Sequence, residues 1–297
     1  MTDRADETRA PAPFLKWAGG KRQLVSRILG RSPDQIETYY EPFVGGGAVF
    51  FALAAEGRFK HAVLGDANEE LILCYRAIQA DVEGVIRALR RHRYDRDYYY
   101  RLRERDPAAM DPSARAARLI YLNRCGYNGL YRVNRSGRFN VPFGRYVNPV
   151  ICDVAKLRAA HEALQRATVV FQDFEKTMRR AKPGDFVYLD PPYVPLSPTS
   201  SFTAYAKTPF GPLEQERLAR ALRALGERGV YGLLSNSDCA PTRALYDGLA
   251  HERVPVRRAI NSVASGRGAV GELLVLSHRA WPTAPSSTSS RSSTKTA

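Results

Sequence analysis

The chain has 297 residues, 44% of them hydrophobic and 25% charged, which suits one large domain or one domain carrying an insertion. That composition excludes collagen-like, wholly disordered and disulfide-scaffold classes. The formal net charge is +15, as expected for a partner of polyanions or for a generally arginine-rich composition. The candidate tails, 1–13 and 282–297, carry four basic and three acidic residues, so the body between them keeps +14 and a nucleic-acid surface is favoured over a sticky tail.

Residues 1–13 mix both charges without an apolar run, so they are neither a secretory signal nor a transit peptide and read as disordered. A cytoplasmic location follows as an expectation. From Phe14 onward, short apolar runs alternate with Gly-rich turns and helical stretches, predicting a helix over 21–29, a strand over 38–44, a helix over 47–55, a strand over 62–65 and a helix over 69–78. The longest nearly apolar stretch, 44–55, contains three glycines and is too short for a bilayer. Between 81 and about 121 the pattern is helical only and Arg-rich, while 126–146 is dense in Gly, Asn and aromatics and predicts a hairpin turning at NRSG, 134–137. The α/β rhythm returns after 154 with strands over 168–172, 186–189 and 230–234, a helix over 213–225 and a terminal strand pair. A basic module, 80–153, is thus inserted in an α/β domain made of 14–79 and 154–281. Residues 282–297 hold ten Ser or Thr and no large apolar side chain, and read as a disordered tail. Cys74, Cys125, Cys152 and Cys239 form no CxxC pair and have no histidines at ligand spacing, so neither metal nor disulfides are expected.

Two motifs carry chemistry. EPFVGGG (41–47) follows a strand and opens a helix, where glycines allow a tight turn and close backbone approach to a ligand. Such a turn serves dinucleotides, nucleosides or plain packing. Asp66 lies nineteen residues past Gly47 at the end of the next strand, placed either to accept ribose hydroxyls or to cap the following helix. With no GxGxxG and no Lys-Ser/Thr phosphate cradle, a nucleoside without phosphates fits better than NAD or a nucleotide triphosphate. DPPY (190–193) follows the apolar run FVYL. Its two prolines must end the strand, displaying Asp190 and Tyr193 at the carboxyl edge of the sheet, the usual ligand crevice. A carboxylate and a proline carbonyl accept from an exocyclic amine, and the adjacent aromatic offers a stacking face for a base.

FLKWAGGK (14–21), EPFVGGG, NRCGYNGL (123–130), GRFNVPFGRY (137–146) and DPPY together resemble the Dam-type N6-adenine DNA methyltransferases of the D12 class, in the family's order and over nearly the whole folded chain. The resemblance implies a Rossmann-like, seven-stranded, mostly parallel methyltransferase sheet with an inserted helical and β-hairpin target-recognition domain. It implies S-adenosyl-L-methionine against Trp17, Lys21, Phe43, Gly45, Gly47 and Asp66, with Asp173 and Phe174 at its adenine and Asp190 near its reactive end. Asp190, Pro191, Pro192 and Tyr193 would form the catalytic motif. Lys16 and Arg132 match base-reading residues, Tyr127 and Asn128 residues that enter the duplex, and Leu130, Pro142 and Tyr146 further base contacts. Asn134, Asn140 and Arg145 match phosphate contacts. The site read would be GATC.

The residues of the insert point the same way. Arg87, Arg90, Arg91, Arg93, Arg96, Arg101, Arg103 and Arg105 crowd beside Tyr94 and Tyr98 to Tyr100, as a phosphate-tracking surface or as a solvated helix face balanced by Asp95, Asp97 and Glu104. The expected protein is a monomeric adenine-N6 methyltransferase of double-stranded DNA, with no membrane association and no obligate protein partner. Methylation of cytosine N4 or of RNA, and non-catalytic DNA binding on the same scaffold, are the alternatives.

Overall fold

The apolar runs between Gly-rich turns form the strands of one sheet in a computed structural model that describes residues 9–17, 24–134, 136–193, 210–256 and 270–279. In chain order its elements are α1 (Val25–Leu29), β1 (Ile36–Glu41), α2 (Ala48–Ala55), β2 (Phe59–Asp66), α3 (Glu69–Leu89), α4 (Arg96–Glu104), α5 (Pro112–Cys125), α6 (Val154–Leu164), β3 (Ala167–Phe171), α7 (Phe174–Met178), β4 (Phe186–Leu189), α8 (Pro212–Glu227), β5 (Tyr231–Ser237), α9 (Ala240–Leu245), β6 (His251–Val256) and β7 (Val270–Leu276). The seven strands lie in the order β3-β2-β1-β4-β5-β7-β6. The first five are parallel, and β7 runs antiparallel to both β5 and β6. This is the Rossmann-like, seven-stranded, mostly parallel sheet that the resemblance implies. Every residue of β4 is buried, as a central parallel strand covered on both faces requires. The chain order reverses between β1 and β4, which opens a crevice at the carboxyl ends of those strands.

Several bounds differ from expectation for identifiable reasons. β1 stops at Glu41, not at 44, because Pro42 supplies no N–H to the ladder and the Gly-rich turn begins there. The helix expected to end at 78 continues to Leu89, with a break at Asp81 (φ −148°, ψ 72°) whose carboxylate accepts from the Gly84 N–H at 2.8 Å and caps a second helical run. α6 and α7 were not anticipated, although both follow an aspartate that caps them: Asp153 accepts from the Lys156 N–H and Asp173 from the Glu175 N–H. Of the helix expected over 21–29, only Val25–Leu29 is helical among the described residues; Lys21 and both expected tails beyond residues 9–13 lie outside them. Arg9 pairs with Asp153 at 3.2 Å.

The insert's helices share a continuous core with the rest of the molecule. α5 packs along α3, and Tyr99, Leu102, Leu119, Tyr121 and Val141 belong to the same buried cluster as Phe50, Phe51, Leu64 and Tyr75 of the sheet's own layer. A second cluster lies against the opposite face, built from Val187, Leu189 and Leu234 with Leu218 and Leu222 of α8. Cys74 and Cys125 are buried and Cys152 and Cys239 partly so, all as free thiols. Among the described residues no cluster of His, Cys, Asp and Glu could hold a metal ion, and no helix is long and apolar enough to cross a membrane.

Candidate active site

The turns that leave β1, β2 and β4 converge on one cleft of about 1080 Å³, lined by Trp17, Phe43, Gly45, Gly47, Asp66, Asp173, Phe174 and the whole DPPY tetrad. Eight expected cofactor residues and the four expected catalytic residues, Asp190 counting as both, thus share one wall-to-wall space. On the β1 side Gly45 has φ +47°, and a Cβ placed there would stand 2.8 Å from the Trp17 ring. Only glycine accommodates both the left-handed backbone and that approach. The Tyr75 hydroxyl of α3 donates to the Gly45 carbonyl at 3.1 Å, and Trp17, against which Gly45 packs, stacks on Tyr131 of the insert at 5.1 Å.

Asp66 ends β2 with its carboxylate accepting from the Gly45 N–H at 3.1 Å and the Asn68 N–H at 2.9 Å. Burial nevertheless pushes its pKa up to about 6, against the lowering effect of those bonds. Its alternative role as the cap of α3 is filled by a neighbour, since the Asn68 side chain accepts from the Leu71 N–H. Glu41, which heads the Gly-rich motif, lines the same cleft at 3% exposure, and its Oε2 has no hydrogen-bond partner among the described residues. Burial holds this carboxyl well above the usual range, with the charge of Asp190 adding to the shift. Sequence reasoning passed over Glu41; an acidic residue at a strand end, ahead of three glycines, was the available signal.

At the far wall, Phe43 stacks on Phe174 at 5.4 Å and meets Phe210 edge-on at 5.6 Å, while the Arg217 guanidinium lies over Phe174 at 4.3 Å. Arg217 also pairs with Asp173. The DPPY turn is held from behind. Ser235 on β5 donates to Asp190 Oδ1 at 3.2 Å; its one hydrogen being so used, the Tyr188 hydroxyl donates to Ser235 at 2.9 Å. The buried Gln215 donates to the Pro192 carbonyl at 2.8 Å and the Tyr193 hydroxyl donates to Glu272 at 2.7 Å. None of Ser235, Gln215 or Glu272 was legible beforehand, because each reaches the motif from a distant element.

The expected DNA-reading residues gather on the neighbouring face. The hairpin is present but slight: single antiparallel bridges join Val133 to Phe139 and Gly126 to Phe143. Asn134 Oδ1 accepts from the N–H groups of Ser136 and Arg138 and from the Ser136 hydroxyl, so its oxygen shapes the turn. Arg132 donates Nε to Asn140 Oδ1 at 2.8 Å and Nη2 to the Asn140 carbonyl at 3.1 Å. Tyr127 is 53% exposed beside Asn128, whose φ is +54°. Leu130 is half-buried, and Pro142 and Arg145 are exposed, the Pro142 carbonyl accepting from the Tyr127 N–H. Lys16 reaches this face from the N-terminal segment, its Nζ 4.7 Å from the centre of the Tyr146 ring. Asn123, 1% exposed, fixes that junction by accepting from the Lys16 N–H and donating to the carbonyls of Lys16 and Gly129.

A reversed seventh strand, a Gly-rich loop and an acidic residue at successive strand ends, and an Asp-Pro-Pro-Tyr turn across the crevice from them define a methyltransferase of amino groups. Comparison with known proteins gives the family. The model of the D12 class N6 adenine-specific DNA methyltransferases matches residues 17–261, and the chain belongs to that family. It is 40% identical to a type II methyltransferase, M1.LlaDCHI, of Lactococcus lactis subsp. cremoris, over 90% of this chain and 95% of that one. It is also 40% identical to the type II methyltransferase M.MjaIII of Methanocaldococcus jannaschii, over 90% and 99% of the two chains, and to the DNA adenine methylase of Escherichia coli K12, over 89% and 94%. The protein is therefore an adenine-specific DNA methyltransferase.

Proposed function

We propose that the protein methylates N6 of an adenine turned out of duplex DNA, within GATC, with S-adenosyl-L-methionine as donor. The observation that carries this reading is that one cleft joins the Gly45 and Asp66 loops to Asp190 and Tyr193. The residues suit the donor: Asp66 offers acceptor lone pairs to ribose hydroxyls, the aromatic wall of Phe43, Phe174 and Phe210 suits an adenine, and the unpartnered Glu41 Oε2 suits an ammonium group. Bound there, the donor supplies an electrophilic methyl on a sulfonium.

The chain's own work is positioning and electrostatics. A base inside a duplex cannot reach Asp190, so the target adenine must leave the stack, at a cost of a few kcal/mol. Tyr193 stacks on it. The Asp190 carboxylate and the Pro191 carbonyl would accept from the N6 amine, which favours the pyramidal nitrogen whose lone pair takes up the methyl as the sulfonium leaves as a thioether, and the Asp190 carboxylate stands where it can take the proton the nitrogen then loses. Ser235, donating to Asp190, fixes the carboxylate's orientation. GATC recognition rests on the resemblance at Lys16, Tyr127, Leu130, Arg132, Pro142 and Tyr146, with the protein acting as a monomer.

The test is sequencing, with modified-base detection, of DNA from a methylation-free host expressing the wild type or Asp190→Ala. Wild type is expected to mark adenine in GATC, and the variant to mark nothing while keeping its fold and most DNA affinity. Near-normal transfer by a well-folded Asp190→Ala protein overturns the mechanism; marks outside GATC overturn the specificity alone.

A further inference from the structure

Tyr193 is held at both ends. Its backbone leaves β4 through two prolines, and its hydroxyl donates to Glu272 Oε2 at 2.7 Å. Glu272 comes from the other end of the sequence and reaches the motif through strand direction. β7 is antiparallel to β5, with Glu272 opposite Ser237, so the beginning of β7 lies at the edge where the parallel strands end. Had β7 been parallel, that edge would carry the strand's last residues. Burial beside Asp190 and Glu272 raises the phenol's pKa well above its ordinary value, so the hydroxyl stays a donor. A tyrosine ring turns about a broad, roughly two-fold torsion, and a stacked base needs the ring plane fixed. A charge-assisted hydrogen bond at the para position supplies that constraint.

We propose that Glu272 is a positioning residue for methyl transfer, acting through the Tyr193 hydroxyl to hold the ring in the plane on which the target adenine stacks. This rests on the proposed role of Tyr193 as the stacking face. Glu272 touches neither substrate nor donor. It acts on the rate of the chemical step and leaves donor affinity alone, because the Gly45 and Asp66 side of the cleft does not depend on it.

Single-turnover methylation, with donor affinity measured separately by calorimetry, tests this. Glu272→Ala and Tyr193→Phe are each expected to lower the transfer rate about tenfold, the range set by loss of one hydrogen bond to a charged group. The calorimetric Kd for donor is expected to stay unchanged. Glu272→Gln, which keeps an acceptor oxygen, is expected to recover most of the rate. The decisive comparison is the double variant, in which Glu272→Ala should cost nothing further once the hydroxyl is gone. Full additivity, or an unchanged rate in Glu272→Ala, overturns the proposal. Should Glu272→Ala fail to fold, an unchanged rate in Tyr193→Phe overturns it equally. Tyr193→Ala separates the two levels: if it too leaves the rate intact, the stacking role itself is wrong, whereas loss in Tyr193→Ala without loss in Glu272→Ala sinks only the clamp.

Discussion

Asp66 shows how a single half-buried carboxylate gives two opposed pH dependences. Its pKa of about 6 lies above the ordinary 3.8, so the folded protein holds this proton more tightly than the unfolded chain. Its contribution to stability is therefore present at low pH and is lost as pH rises from about 4 to about 6. Donor binding runs the other way, since ribose hydroxyls donate best to the ionised form. Calorimetric affinity for S-adenosyl-L-methionine is expected to fall as pH drops below about 6, by up to about tenfold per unit, and Asp66→Asn should flatten that fall. A profile in the Asn variant as steep as in wild type would place the titration elsewhere. Gly45 makes the complementary prediction for shape. Gly45→Ala must adopt a left-handed backbone, at about 1–2 kcal/mol, and push its Cβ against the Trp17 ring. A lowered thermal midpoint together with weakened donor binding is expected, and an unaltered midpoint would mean that the loop leaves its left-handed conformation at no cost. Both residues were legible as motif members. Glu41 was not singled out, because what marks it, burial with one oxygen unpartnered, exists only after folding.

At the scale of the hairpin, the proposed base reader Arg132 and the proposed phosphate contact Arg145 should behave differently. Arg132 commits two of its five N–H donors to Asn140, which leaves three for the proposed contact with guanine O6 and N7, worth roughly 1–3 kcal/mol of discrimination. Arg132→Ala is expected to relax one base pair of the site while leaving donor affinity alone, and Arg145→Ala to weaken all sequences about equally. Genome-wide methylation maps of the two variants decide between them; retained selectivity in Arg132→Ala removes it as reader. The base of the hairpin carries a stability prediction. Asn123→Ala strips partners from one N–H and two carbonyls, which should cost about 3 kcal/mol, read as a lowered urea midpoint with unchanged slope. The turn itself was legible from NRSG, and β4 from its unbroken apolar run. The extension of α3 past Asp81 was not, because an aspartate in mid-helix looks like an ordinary surface residue until its side chain is seen capping Gly84.

For the whole molecule, charge sets the first expectation. A protein neutralising several phosphates should lose affinity for duplex DNA with a log-log salt slope of about −0.9 per contact, and a flat response would return the excess of arginine to mere composition. The fold class followed from the α/β rhythm and the resemblance, but the inverted strand β7 that delivers Glu272 did not, since strand direction near the end of the chain depends on pairings that local patterning does not encode. The insert read as a separate module in sequence; in three dimensions α5 packs along α3, and the insert's tyrosines and leucines join the same buried cluster as the residues beside the sheet. That shared core limits how such an enzyme can acquire a new recognition site. A module with its own core can be exchanged between relatives as a block, whereas this one would arrive without the surface that completes it. New specificities in this lineage are thus expected to arise by point replacement of outward-facing side chains on the hairpin, such as Tyr127, Arg132 and Arg145. A chimaera carrying a relative's entire 80–153 segment should fold poorly unless the residues of α3 that face α5 travel with it.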